Sequence, residues 1–174
     1  KLIGPTVNVV DKYINHASKN ILNTTDKINL KEFKRVGNLG KSIKIVSLTL
    51  NEGRSVKHNK TFICEIIFDV YNSIDEVSFG IGFNSVDGIR IMTIDSDNHN
   101  ERYNFKPKSN LKVRLIIDEL ELTPTKYLID IGIRCGDKTS IDLLSNFLIV
   151  DVLPSKTTPP MFYIDNGGIR PKGN

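Results

Sequence analysis

The stretch Leu120–Ile133, "LELTPTKYLIDIGI", decides the fold class. From Tyr127 onward the residues alternate: Tyr127, Ile129, Ile131 and Ile133 share one parity, and Leu128, Asp130 and Gly132 share the other. A period of two is the mark of a strand with one buried face. Just upstream, a Leu-bearing segment ends, Pro124 turns the chain, and a tyrosine opens the next strand. A tyrosine in that place is either the corner residue of an immunoglobulin-like sandwich or a plain core aromatic. The residues leave both readings open.

The same period runs through most of the chain. It recurs in "SIKIVSLTL" (42–50), "KTFICEIIFDVY" (60–71), "EVSFGIGFNS" (76–85), "IRIMTID" (89–95), "LKVRLIID" (111–118), "KYLIDIGIRC" (126–135) and "SIDLLSNFLIVDVL" (140–153). Gly, Asn, Asp and Pro separate these runs, and Asp87-Gly88 is a hairpin signal. About seven half-apolar strands joined by such turns predict an all-β, immunoglobulin-like antiparallel β-sandwich. Two segments stand outside the pattern. Residues 5–19, "PTVNVVDKYINHASK", follow helical spacing behind Pro5, and residues 20–35 read as a polar linker. Beyond the Pro-rich "PSKTTPP", the apolar "MFYI" (161–164) predicts a last short strand. It either folds back on its own sandwich or is exchanged with a second copy in a dimer.

Composition narrows the function classes. The 174 residues are 39% hydrophobic and 25% charged, and the net charge is +4. No apolar run reaches membrane-spanning length, and the N-terminal residues lack the apolar core of a signal peptide. A start at Lys1 without Met points to a fragment or a processed form. Basic residues are scattered and not interleaved with aromatics, which argues against nucleic acid as a partner. Cys64 and Cys135 form no CxxC pair, so no zinc site is expected. His16, His58 and His99 have no serine, cysteine or carboxylate placed beside them by a recognisable motif, so no catalytic residues are assigned.

Three motifs need weighing. "VGNLGKS" (36–42) ends as a phosphate-binding loop does, but the first glycine of such a loop would fall at position 35, which is Arg35. A β-like segment follows it where a helix is required, so it reads as a polar turn. The loop "DSDNHNERYN" (95–104) spaces Asp95, Asp97 and His99 like calcium ligands. It lacks the glycine and the twelfth-position glutamate of that motif, so no metal is assigned, and it reads as a solvated inter-strand loop or a contributor to ligand binding. The third motif is a face. In "VSFGIGFN", Ser78, Gly80, Gly82 and Asn84 take the outward parity, and in "YLIDIGIR" Leu128, Asp130, Gly132 and Arg134 do. If these strands are neighbours, the glycines leave a shallow trough edged by Asn84, Asp130 and Arg134, with Arg90 at its rim. Amide, carboxylate and guanidinium groups suit sugar hydroxyls. Glycines in strands equally mark bends or bulges.

The order of "FKRVGNLGKSIKIVSLTLNEG", "FGIGFNSVDGIRI", "LELTPTKYLIDIGI" and "FLIVDV" over residues 33–153 resembles the C-terminal domain of the Wzt-type ATPases. These are the ATP-binding subunits of O-antigen polysaccharide ABC exporters. "GPTVNVVDKYI" resembles the closing helix of an ABC-type ATPase domain. Thr125 stands where the family commonly has glycine. The resemblance implies two parts: residues 1–35 as the end of the ATPase domain plus a linker, and residues 36–174 as a carbohydrate-binding β-sandwich. It implies no enzyme activity in this piece and no cofactor. Its partners would be the O-antigen polysaccharide or its modified terminus, a second copy in a homodimer, and a membrane-spanning exporter subunit reached through the ATPase domain. The location would be cytoplasmic, at the inner face of the bacterial inner membrane. Two alternatives stand beside it. One is a secreted immunoglobulin-like adhesion module, with Cys64 and Cys135 bridged between strands B and F of an immunoglobulin count. The other is a purely structural dimerisation domain.

Overall fold

The fold is that of a computed structural model, which describes residues 27–137 and 139–156. The expected helix at 5–19 and the apolar piece at 161–164 lie outside these residues. Within them the chain forms β1 (Ile28–Asn29), β2 (Ile43–Leu50), β3 (Val56–Lys57), β4 (Phe62–Val70), β5 (Ile74–Asn84), β6 (Arg90–Asp95), β7 (Tyr103–Phe105), β8 (Lys108–Ile117), β9 (Lys126–Cys135) and β10 (Thr139–Leu153). One sheet has the order β1-β2-β4-β8; the other runs β3-β10-β9-β5-β6, with β7 also paired to β5. All seven expected strands are present, and the result is an all-β sandwich. One pairing departs from the antiparallel rule, because β3 lies parallel to β10 at Val152 and Leu153. No helix among the described residues is long and apolar enough to cross a membrane.

The core follows from strand parity. Phe62, Cys64, Ile66, Phe68 and Val70 of β4 are buried, as are Val77, Phe79, Ile81 and Phe83 of β5. The sheets meet through Phe68 against Phe79, with ring centroids 5.0 Å apart, and Phe62 against Phe83 at 5.5 Å. Such offset and edge-on pairs add to the burial of the rings themselves. Tyr127 is buried and does more than pack. Its hydroxyl donates to the carbonyl of Thr123 at 2.9 Å, which is the bond of a tyrosine corner.

Residues 28–35 are part of the sandwich, although their polarity reads as linker. β1 pairs with β2 at Leu48 and Ser47, and Leu30 is fully buried. Arg35 then enters the interior beside Asp142 of β10, with the side chains 6% and 0% exposed. Its Nε donates to Asp142 Oδ1 at 3.1 Å, and Nη1 donates to the carbonyls of Leu30 and Phe33 at 2.5 and 2.7 Å. Nη2 donates to the Ile45 carbonyl at 2.5 Å, and the Ile45 amide donates to Asp142 Oδ2 at 2.7 Å. Burial pushes the Asp142 carboxyl above its ordinary pKa, against the Ile45 amide and the Arg35 charge, which hold it down.

Cys64 and Cys135 are free, so the bridge of the secreted alternative is not made. The register explains why. Phe68 faces Phe79, and Cys64 lies further back along β4, roughly 13 Å away at the rise of a strand. Cys135 pairs with Val77, on the opposite side of Phe79. A disulfide needs Cα atoms within about 7 Å. Cys64 is fully buried, and burial raises its thiol pKa well above the ordinary value.

Two predictions follow from the core. Asp142→Ala leaves the Arg35 charge buried without its partner and should destabilise the fold by about 3–5 kcal/mol, read from urea unfolding. A thiol reagent should modify Cys135 alone in the native protein, with Cys64 reacting only on unfolding; mass spectrometry of the labelled peptides distinguishes them.

Candidate functional site

The glycine-bearing strands β5 and β9 are neighbours, and Gly80 lies directly opposite Gly132. Their outer face, with β6 on one side and β10 on the other, forms a cleft of about 530 Å³. Gly80, Gly82 and Gly132 make its floor, and Arg90, Asp130 and Arg134 line it. Asn84 does not. It is 4% exposed, and its Nδ2 donates to Asn146 Oδ1 at 2.9 Å. The structure thus brings three of the four residues expected at a sugar site together and sets Asn84 behind them.

The glycines serve a purpose beyond bending. A Cβ on Gly82 would stand 1.5 Å from Nη1 of Arg90, so only glycine lets that guanidinium lie across β5. A Cβ on Gly80 would meet Asp95 Oδ2 at 3.0 Å, and one on Gly132 would meet Leu143 Cδ1 at 3.2 Å. The bare strand positions are therefore roofed by side chains from β6 and β10, and the trough is narrower than the sequence alone implies.

The cleft's charges are paired. Arg90 Nη2 donates to Asp130 Oδ2, and Nη1 donates to Thr93 Oγ1 at 3.1 Å. Asp130 Oδ1 also accepts from Ser145 Oγ at 3.0 Å and from the Asn146 amide at 2.6 Å. These partners sit in a β10 bulge between Leu144 and Leu148, where Asn146 holds a φ of 47°. Asn84 braces that bulge through the side chain of Asn146, whose backbone amide holds Asp130. At the other end, Arg134 Nη2 donates to Asp95 Oδ2 at 2.7 Å, and Nη1 donates to the Asp137 carbonyl at 3.1 Å.

The polar loop folds over this end. Asp95 Oδ1 accepts from the Asp97 amide, closing a 3₁₀ turn over Ser96–His99. Arg102 Nε donates to Asp97 Oδ1 at 2.6 Å, and its Nη2 reaches Asp137 Oδ1 at 2.5 Å. The Arg102 guanidinium holds the Asp97 carboxyl below the ordinary carboxylate range. No grouping of histidine, cysteine and carboxylates able to hold a metal ion occurs among the described residues.

Thr93, Ser140 and Leu143 also line the cleft and were not expected there, while Asp95 and Asn98 bring the polar loop to its edge. The hairpin signal at Asp87-Gly88 gives a register for β6, but a bulge between the Phe83 and Asn84 pairings shifts it by one residue. That shift sets Thr93 opposite Gly82 and Asp95 opposite Gly80. A register counted straight from the turn would put both on the other face.

Comparison with known proteins bears on this architecture. The model of the Wzt C-terminal domain family matches residues 34–163. A solved structure, described as the crystal structure of the C-terminal domain of wzt, aligns with a TM-score of 0.60 at 20% identity. The alignment covers 72% of this chain and 80% of that one, and at this identity it speaks to the fold. A search of curated proteins gave no match.

The dependence of Arg90 on Gly82 is testable. Arg90→Ala should remove about 0.5–1 kcal/mol from the parent and nothing from a Gly82→Ala background, because the added methyl has already displaced the guanidinium. A double-mutant cycle on urea unfolding reads the difference.

Proposed function

The chain belongs to the Wzt C-terminal domain family, and from that premise we propose that it is the non-catalytic, carbohydrate-recognising part of the ATP-binding subunit of an O-antigen polysaccharide exporter. The ATPase domain would precede Lys1, with residues 1–35 carrying its end and the connection. The domain would work in the cytoplasm at the inner face of the bacterial inner membrane, as a homodimer beside the membrane-spanning exporter subunit.

The observation that carries this reading is the cleft on the outer face of β5 and β9. Its glycine floor and its guanidinium, hydroxyl and amide rim fit a flat, hydroxyl-rich ring. Its lining includes no aromatic side chain among the described residues, so binding is led by hydrogen bonds and is modest in strength. A sugar lying along Gly80 and Gly132 would reach Arg90 and Asp130 at one end and Arg134 and Asp95 at the other.

The test is a calorimetric titration of the domain with the polysaccharide of its own bacterium, intact and stripped of its terminal group. Saturable binding that is lost on stripping is the expected result, with Arg90→Gln and Arg134→Gln each weakening it about tenfold. A folded dimer that binds neither form would leave only a structural, dimer-forming role.

A further inference from the structure

The charges around the cleft are matched within the protein, and this bears on which glycans it can take. Arg90 is paired with Asp130, and Arg134 with Asp95. Arg134 also lies 3.5 Å from Asp97, and Arg102 bridges Asp97, Asp137 and Glu76. Among the described residues, these three arginines thus pair with five carboxylates. The chain as a whole is +4, so this face runs against the overall balance. Among the described residues, no lysine lines the cleft.

A site that captures an anion needs donors whose charge is not already spent, as in arginine clusters that bind phosphate or carboxylate. Here a carboxylate or phosphate would meet guanidinium groups already neutralised by Asp130 and Asp95, and would approach those same carboxylates. Asp130 and Asp95 have side chains only 11% exposed, so that repulsion would be weakly screened. Hydrogen-bond capacity points the same way. Asp130 and Asp95 are largely satisfied within the protein by Ser145, Asn146, Asp97 and the two arginines. Arg90 donates through only two contacts within the protein and Arg134 through Asp95, Asp97 and the Asp137 carbonyl, which leaves N–H groups over. The cleft offers surplus donors without surplus positive charge.

We propose that the cleft selects uncharged glycans rich in hydroxyl and ether oxygens and discriminates against glycans bearing carboxylate or phosphate. The inference rests on reading the cleft as the glycan site. Two consequences separate it from that reading: affinity should change little with ionic strength, and a negative charge added to the ligand should weaken binding.

The probe is the polysaccharide of the parent bacterium in three forms: native, lightly acetylated, and succinylated to the same degree. Acetylation changes size without charge, and succinylation adds carboxylates. The expected outcome is a native polymer uncharged in its repeat, bound alike in native and acetylated form at low and near-physiological salt, with the succinylated form at least about tenfold weaker. An Asp95→Asn, Asp130→Asn double variant uncovers both guanidinium charges. It should gain succinylated binding that falls with salt, while circular dichroism reports that it is folded. A native polymer with an acid in every repeat, or succinylated binding that matches or exceeds the acetylated form, would overturn the charge inference and leave the glycan site standing. Binding of none of the three forms would remove the glycan site itself, and this inference with it.

Discussion

The sandwich depends on one buried ion pair. Strands β2 and β10 belong to different sheets, and each has an edge that its neighbours cover only in part. β1 pairs with β2 only at Leu48 and Ser47, which leaves both backbone groups of Ile45 to be satisfied elsewhere. Asp142 accepts from the Ile45 amide, and Arg35 donates to its carbonyl. The loop carrying Arg35 covers β10 in turn, through Val36 N–H to the Leu143 carbonyl and Gly40 N–H to the Ile141 carbonyl. Buried backbone groups cannot go unpaired without a large loss. Arg35 and Asp142 stand in for the missing strand on that side and lock the two sheets together. A charge pair so deep contributes more to specifying the arrangement than to net stability, because its own desolvation offsets much of its attraction.

That clamp sits one residue from the cleft. Asp142 points inward to Arg35, while its neighbour Leu143 reaches over Gly132 on the outer face. A register shift between Ser140 and Asp142 and a second between Leu144 and Leu148 interrupt the β10 ladder on either side. The first brings Asp142 into line with the interior. The second turns Ser145 and the Asn146 amide onto the Asp130 carboxylate. Bulges re-aim side chains where plain alternation cannot, and here they let one strand serve the core and the cleft within a few residues.

What the sequence made legible follows from periodicity. Wherever a strand alternates cleanly, as in β4, the inward residues are the core, and on β5 and β9 the outward Gly80, Gly82, Asp130, Gly132 and Arg134 line the cleft. The tyrosine corner was legible only in part: Pro124 and Tyr127 stand at its spacing, but the Tyr127 bond to the Thr123 carbonyl is what separates it from a plain core aromatic. Three things were hidden, each for a physical reason. Arg35 and Asp142 look like surface charges, since nothing local announces that each is the other's partner across the length of the domain. Thr93 and Asp95 reach the cleft only because a single bulged residue reverses the parity counted from the Asp87-Gly88 turn. Asn84 has the right parity for the cleft but lies where the β10 bulge claims its amide.

Alternation also separates two kinds of change that most folds entangle. On β5 and β9, the residues that hold the sheets together and those that shape the cleft occupy opposite parities of the same strands. Thr93, Asn98 and Ser140, on β6, the turn after it and β10, likewise line the cleft without belonging to the core of Phe79 and Ile131. Such a scaffold can change the surface of its cleft far in sequence while the packing that holds its sheets together stays intact. A domain at 20% identity that still aligns at a TM-score of 0.60 is what that freedom would leave behind.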